Sequence, residues 1–130
     1  MARPRSPPLK AFVFGAGKVG SALARALRAA GVPTTLRAAR KKLPKTLDAD
    51  VVILAVRDRD VRPLAERIRD ARVVPRRAVV VHVAGALDAE ALAPLRGSCA
   101  GVAQMHPMIS FASRRVAPGL VRGNVHVQGD

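Results

Sequence analysis

The sequence contains no tryptophan and no tyrosine, and aromatic residues make up only 2% of it. That deprives the chain of stacking platforms for single-stranded bases. A single cysteine, Cys99, excludes an internal disulfide and suits a reducing compartment, so the cytoplasm is the expected location. Cys99 precedes a strand with no activating base nearby and reads as an inert small residue. No apolar run approaches the ~20 residues of a membrane-spanning helix, and the basic start MARPRSPPLK leads into too short an apolar stretch for a signal peptide. Acids are scarce as well. Nine Asp and Glu stand against 23 Lys and Arg, leaving a formal charge of +14. Such a balance raises nucleic acid as a partner. However, Arg used alongside abundant Ala, Val and Pro also fits a coding bias, and the missing aromatics argue against that partner.

The chain of 130 residues, 49% apolar and with mean hydropathy +0.13, fits one domain with a real core. Residues 1–8, with three prolines and two arginines, read as a flexible basic tail; the folded domain is expected over 9–130. The run Leu9 to Phe14 is short and apolar, the pattern of a buried parallel strand. From Lys18 the spacing turns helical, with Val19, Leu23, Leu27 and Ala30 on one stripe and Arg25 and Arg28 off it. Gly31 supplies a left-handed cap and Pro33 prevents resumption.

Further strands are expected at Thr34–Ala38, Val51–Val56, Ala78–Val83, Val102–His106 and, at an edge, Val125–Val127. Asp58 or Asp60 is expected to cap a helix bearing Val61, Leu64, Ile68 and Ala71, with Pro63 in its first turn. Asp88 is expected to cap a short helix through Leu92. Alternation of apolar strands with helices predicts an α/β fold with a doubly wound, mostly parallel sheet.

Gly15-Ala16-Gly17-Lys18-Val19-Gly20 matches G-x-G-x-x-G. The motif alone is weak, but here it directly follows a strand and directly opens a helix, the context of a Rossmann dinucleotide-binding turn. Gly15 permits the turn, Gly17 lets a diphosphate approach the backbone, and Gly20 lets the helix pack closely. The helix start offers N–H groups and a positive dipole to that diphosphate. NAD-selective domains place an acid roughly 20 residues beyond the turn. The corresponding stretch here, Leu36 to Lys41, holds no acid and several cations, which favours NADP over NAD. Arg40 is the first candidate for the 2′-phosphate, with Arg37 and Lys41 behind it. Asp48 and Asp50 fall too late and are expected to flank the third strand.

Ligands of open parallel sheets sit beyond the carboxyl ends of the strands. His82 and His106 approach that rim from different strands and are candidate acids or bases, although His82 also reads as a structural residue within an apolar strand. His126 reads as structural. The histidines lack the companion ligands of a metal site, and none is expected.

The segments GAGKVGSALARAL, DADVVILAVRDRDV, VVVHVAGAL and QMHPMISFA resemble the Rossmann-like/DUF2520 family of NADP-linked oxidoreductases. The cofactor domain of that family is similar to those of F420-dependent NADP reductases, pyrroline-5-carboxylate reductases and prephenate dehydrogenases. The resemblance covers residues 10–130, and its more specific part is His82, Gly85, His106, Pro107, Met108 and Phe111. It implies that Gly15, Gly17 and Gly20 hold the pyrophosphate. Ala39-Arg40 would meet the adenosine phosphate, and Ala55, Val56 and Arg57 would border ribose and nicotinamide. His82 and His106 would lie near the reactive end, facing a small-molecule substrate. Ala84 stands where serine is common, and Arg57 where proline is frequent. Family members continue into a C-terminal helical domain that completes the substrate pocket and often the homodimer. This sequence stops at Gly129-Asp130, about where that domain begins, so a cofactor domain alone is expected. A nucleotide-binding or partner-assembling module without turnover, and a basic nucleic-acid-binding protein, are the competing readings.

Overall fold

The computed structural model describes residues 9–107 and 125–129, and of 106–107 and 125–129 the backbone alone. In chain order the elements are β1 (Ala11–Phe14), α1 (Lys18–Ala29), β2 (Thr34–Arg37), β3 (Val51–Leu54), α2 (Asp58–Ala71), β4 (Val79–His82), a 3-10 helix (Ala89–Leu95), β5 (Gly101–Pro107) and β6 (Val125–Gly129). The strands form one sheet in the order β2-β1-β3-β4-β5-β6. The first five run parallel, and β6 pairs antiparallel with β5 at the edge. The tail at 1–8 lies outside the described residues.

The central strands β1, β3 and β4 are largely apolar, as suits a sheet covered on both faces. On one face Phe12, Phe14, Val52, Leu54, Val80 and Val102 pack against Val61, Leu64, Ala65 and Ile68 of α2 and against Leu92 and Leu95 of the 3-10 helix. Phe12 and Phe14 meet with ring centroids 4.7 Å apart. On the other face Val13, Ile53, Val81 and Ala103 join Leu23 and Ala24 of α1. Arg25 and Arg28 face solvent as their spacing predicts, and Arg28 donates two hydrogen bonds, 2.9 and 3.1 Å, to the Thr34 carbonyl at the start of β2.

Helix α1 ends as expected. Gly31 adopts φ +86°, its N–H reaches the Arg28 carbonyl (3.1 Å), and the Val32 N–H reaches that of Leu27 (2.9 Å). Those two bonds make a Schellman motif. Ala30 and Ala71 are exposed at the helix ends and do not extend the apolar stripes. The start of α2 also differs from expectation. Arg57 is the N-cap and no side chain caps the helix; Asp58 and Asp60 lie within the first turn. They act there as negative charges near the positive helix end rather than as hydrogen-bond caps. Asp88 does cap the following helix, accepting from the Glu90 N–H at 2.9 Å, although that helix is 3-10 and runs to Leu95.

At the amino-terminal edge of β3 stands an ion cluster. Asp48 accepts from Lys10 Nζ (2.7 Å) and from Arg77 (3.0 Å). Asp50 accepts from the Lys10 N–H and from Arg77 Nε, both at 2.9 Å. Both aspartates thus flank the third strand, at the sheet end away from the glycine turn.

Candidate dinucleotide site

In this strand order β1 has β2 on one side and β3 on the other. The chain leaves β1 in one direction and returns for β3 in the other, which opens a crevice at their carboxyl ends. Three segments meet there: the glycine turn after β1, the loop after β2, and Ala55-Val56 after β3.

The three glycines of the turn have distinct roles. Gly15 adopts φ +110°, and a β-carbon there would overlap the Ala55 carbonyl oxygen. A side chain at Gly20 would overlap the Gly15 carbonyl oxygen and stand 3.4 Å from the Ala55 β-carbon. Gly20 therefore seats α1 against the turn itself. Gly17 is different: a β-carbon on it would meet nothing within 4 Å. It is the N-cap of α1, with extended backbone and φ −75°. Packing therefore does not require glycine at 17, and the backbone there is open.

The first intrahelical bond of α1 runs from the Ser21 N–H to the Gly17 carbonyl (2.9 Å). The N–H groups of Lys18, Val19 and Gly20 precede it and have no acceptor within the helix. The first turn of α1 carries no acid, whereas that of α2 carries Asp58 and Asp60. The positive end of α1 thus has no acidic side chain of its own first turn beside it.

Beside the turn lies a pocket of about 270 Å³. Ala39 and Arg40 after β2, Val56 after β3, and Asp60, Pro63, Leu64 and Arg67 of α2 line it. Arg67 organises one wall, donating to the carbonyls of Ala39 (2.9 Å) and Lys41 (3.3 Å) and so tying the 38–41 loop to α2. This contact, which spans 28 residues for Ala39, is not legible from local pattern. Its only trace is the spacing of Asp60, Pro63, Leu64 and Arg67, which share a helix face. Of the predicted cations, Arg40 is exposed at the pocket, while Arg37 commits its Nε to the Lys42 carbonyl (2.8 Å). Arg57 is exposed at the start of α2, and Ala55 and Val56 are half-buried beside the turn.

His82 does not face the rim as a free acid or base. It is fully buried, and its Nδ1 accepts the Ala84 N–H at 3.1 Å. The ring proton therefore lies on Nε2, which donates to the Asp88 carbonyl at 2.7 Å. Both nitrogens are engaged in holding the segment that follows β4. His106 lies at the carboxyl end of β5, with its backbone in register with His126 of β6. The side chains of both, and Met108 and Phe111, lie outside the described residues. The Cys99 thiol is half-buried and points to the carbonyls of Leu95 (3.2 Å) and Gly101 (3.3 Å). No group of three metal-ligating side chains occurs among the described residues, and no helix among them is long and apolar enough to cross a membrane.

Residues 2–107 match the Rossmann-like domain family. The chain belongs to that family. Solved structures agree on the fold. Pyrroline carboxylate reductase of Plasmodium falciparum, with NADP bound, is 18% identical, with a TM-score of 0.63 over 94% of this chain and 48% of its own. Pyrroline-5-carboxylate reductase of Coxiella burnetii is 16% identical, with a TM-score of 0.64 over 95% of this chain and 50% of its own. A variant imine reductase of Myxococcus stipitatus in complex with NAD+ is 22% identical, with a TM-score of 0.62 over 81% of this chain and 43% of its own. The Rossmann-like domain thus spans half or less of each of these reductases. No protein of curated function matches the sequence.

Proposed function

We propose that this Rossmann-like domain binds NADP at the glycine turn and forms the cofactor half of an oxidoreductase acting on a small molecule. One observation carries the reading: Gly17 is unconstrained by packing, yet it stands at a helix start that has no acid of its own. Diphosphate oxygens held by the first-turn amides of α1 account for both features. A side chain larger than hydrogen at 17 would occupy the space the diphosphate needs.

NADP is preferred over NAD because the loop after β2 offers Arg40 and Lys41, with no acid to hold a free ribose 2′-hydroxyl. The adenosine end lies on the β2 side of the turn, in the pocket between Arg40 and α2. When bound, NADPH supplies a hydride to an acceptor carbon. The protein contributes orientation and a dry, shaped rim at the carboxyl ends of β3, β4 and β5. His106, at the end of β5, is the residue proposed to hold or deliver a proton there. His82 is a positioning residue whose two hydrogen bonds fix the course of the backbone after β4. A homodimer that completes the substrate pocket belongs to the same reading.

Calorimetric titration with NADPH tests the cofactor reading. The native chain is expected to bind, and Gly17→Val is expected to abolish binding while leaving thermal stability close to native. Equal affinity in the two proteins would overturn the proposal.

A further inference from the structure

The pocket beside the glycine turn is cationic at two corners and acidic at one. Arg40 stands at its outer edge and Arg67 on its wall, and Asp60 faces the same space from the first turn of α2. The three are not equivalent. Arg67 spends its guanidinium on the Ala39 and Lys41 carbonyls. Asp60 is exposed and makes no ion pair among the described residues. Between them Val56, Pro63 and Leu64 provide an apolar surface of the kind a flat heterocycle covers.

A negative charge at the start of α2 explains an acid in that turn, but Asp58 already supplies one. Of the two, only Asp60 reaches the pocket. An ionised carboxylate offers acceptors and no donor. Its partner on the edge of a heterocycle must therefore be a donor, and the exocyclic amine of adenine is one. A purine carrying a carbonyl at the same position presents a lone pair there, and its nearest donor is the N1–H one ring atom away, out of place for a carboxylate set to meet the amine.

We propose that Asp60 reads the base of the dinucleotide, accepting a hydrogen bond from the adenine amine and rejecting a 6-oxopurine. Arg40, by contrast, reads the phosphate on the ribose. The inference rests on the cofactor reading above, since it takes the pocket to hold the adenine end. It adds a base-specificity residue, whose effect is independent of the choice between NADP and NAD.

The test uses two ligands that differ only in that purine substituent and the proton it places on N1, NADPH and its hypoxanthine analogue, titrated against the native protein and Asp60→Asn. An asparagine amide offers both a donor and an acceptor and can turn to suit either base. The native chain is expected to favour NADPH by about tenfold or more. In Asp60→Asn the two ligands are expected to bind within about twofold of each other, the remaining contacts being shared. Equal binding of both ligands by the native protein would overturn the role of Asp60 and leave the cofactor reading standing. Retention of the full preference in Asp60→Asn would do the same. No binding of either ligand to the native protein would overturn both, a result distinct from equal binding.

Discussion

Gly20 sits so close to Gly15 that a β-carbon on it would overlap the Gly15 carbonyl oxygen and stand 2.8 Å from the carbonyl carbon. The atom it would strike is backbone, in a turn whose own φ of +110° leaves little freedom to move. Gly20→Ala is therefore expected to destabilise the domain by about 3 kcal/mol. Gly17→Ala, with open space around its new methyl group, is expected to cost no more than about 1 kcal/mol, the usual difference between glycine and alanine at an N-cap. Urea unfolding of the two variants separates them. Comparable losses would show that the turn is not packed as described.

Arg40 and Arg37 make different demands on a ligand, because Arg37 is already tied to the Lys42 carbonyl while Arg40 is exposed at the pocket. Arg40→Ala is expected to weaken NADPH by about tenfold, the scale of one charge-assisted phosphate contact, and to leave NADH unchanged. Affinities measured by calorimetry decide it. An equal fall for both nucleotides would remove Arg40 from the discrimination.

His82 holds two backbone groups of the segment after β4, the buried Ala84 N–H and the Asp88 carbonyl. His82→Leu leaves the Ala84 N–H without its acceptor and the Asp88 carbonyl with only the longer bond from the Ala91 N–H (3.3 Å). A loss of roughly 3 kcal/mol in unfolding free energy is expected. A change below about 1 kcal/mol would mean that the segment after β4 is held by something other than the imidazole.

Acid stability follows from the cluster at the other end of the sheet. The hydrogen bond and charge of Lys10 hold the Asp48 carboxyl below its ordinary value, with Arg77 adding to the effect. Asp50 is lowered by the Lys10 backbone N–H and then by Arg77. Carboxyls lowered on folding stabilise the native state above their unfolded pKa of 3.8 and lose that contribution as pH falls through the folded values. The urea midpoint is therefore expected to drop on acidification below about pH 4, and to drop less in Arg77→Met. These groups are solvent-exposed, so added salt should shrink the difference. Identical pH profiles for the native and variant proteins would contradict the assignment.

Much of this architecture was legible because it rests on local patterns. The apolar run ending at Phe14, the three spaced glycines and the helical stripe from Val19 to Leu27 are each set within a few residues, and the strand–turn–helix unit formed where they lie. Gly31 was legible for the same reason, as no other residue so readily takes the left-handed cap. What escaped was non-local. Asp58 and Asp60 have the right chemistry for an N-cap, but the helix begins at Asp58 itself, so Arg57 takes the capping position. The pocket depends on the 38–41 loop folding over α2, a contact between residues far apart in sequence. That His82 lies within an apolar strand already suited it to a structural role, but its partners, the Ala84 N–H and the Asp88 carbonyl, depend on how the chain returns after β4.

Backbone amides at the start of α1 are proposed to grip a diphosphate. Amide chemical-shift perturbation with the 2′-phosphate form of ADP-ribose, which lacks the nicotinamide, is the experiment that addresses them. The largest movements are expected at the N–H groups of residues 17–20, followed by those around Arg40. Largest movements at the Arg77 end of the sheet, or none at the glycine turn at saturating ligand, would contradict that role.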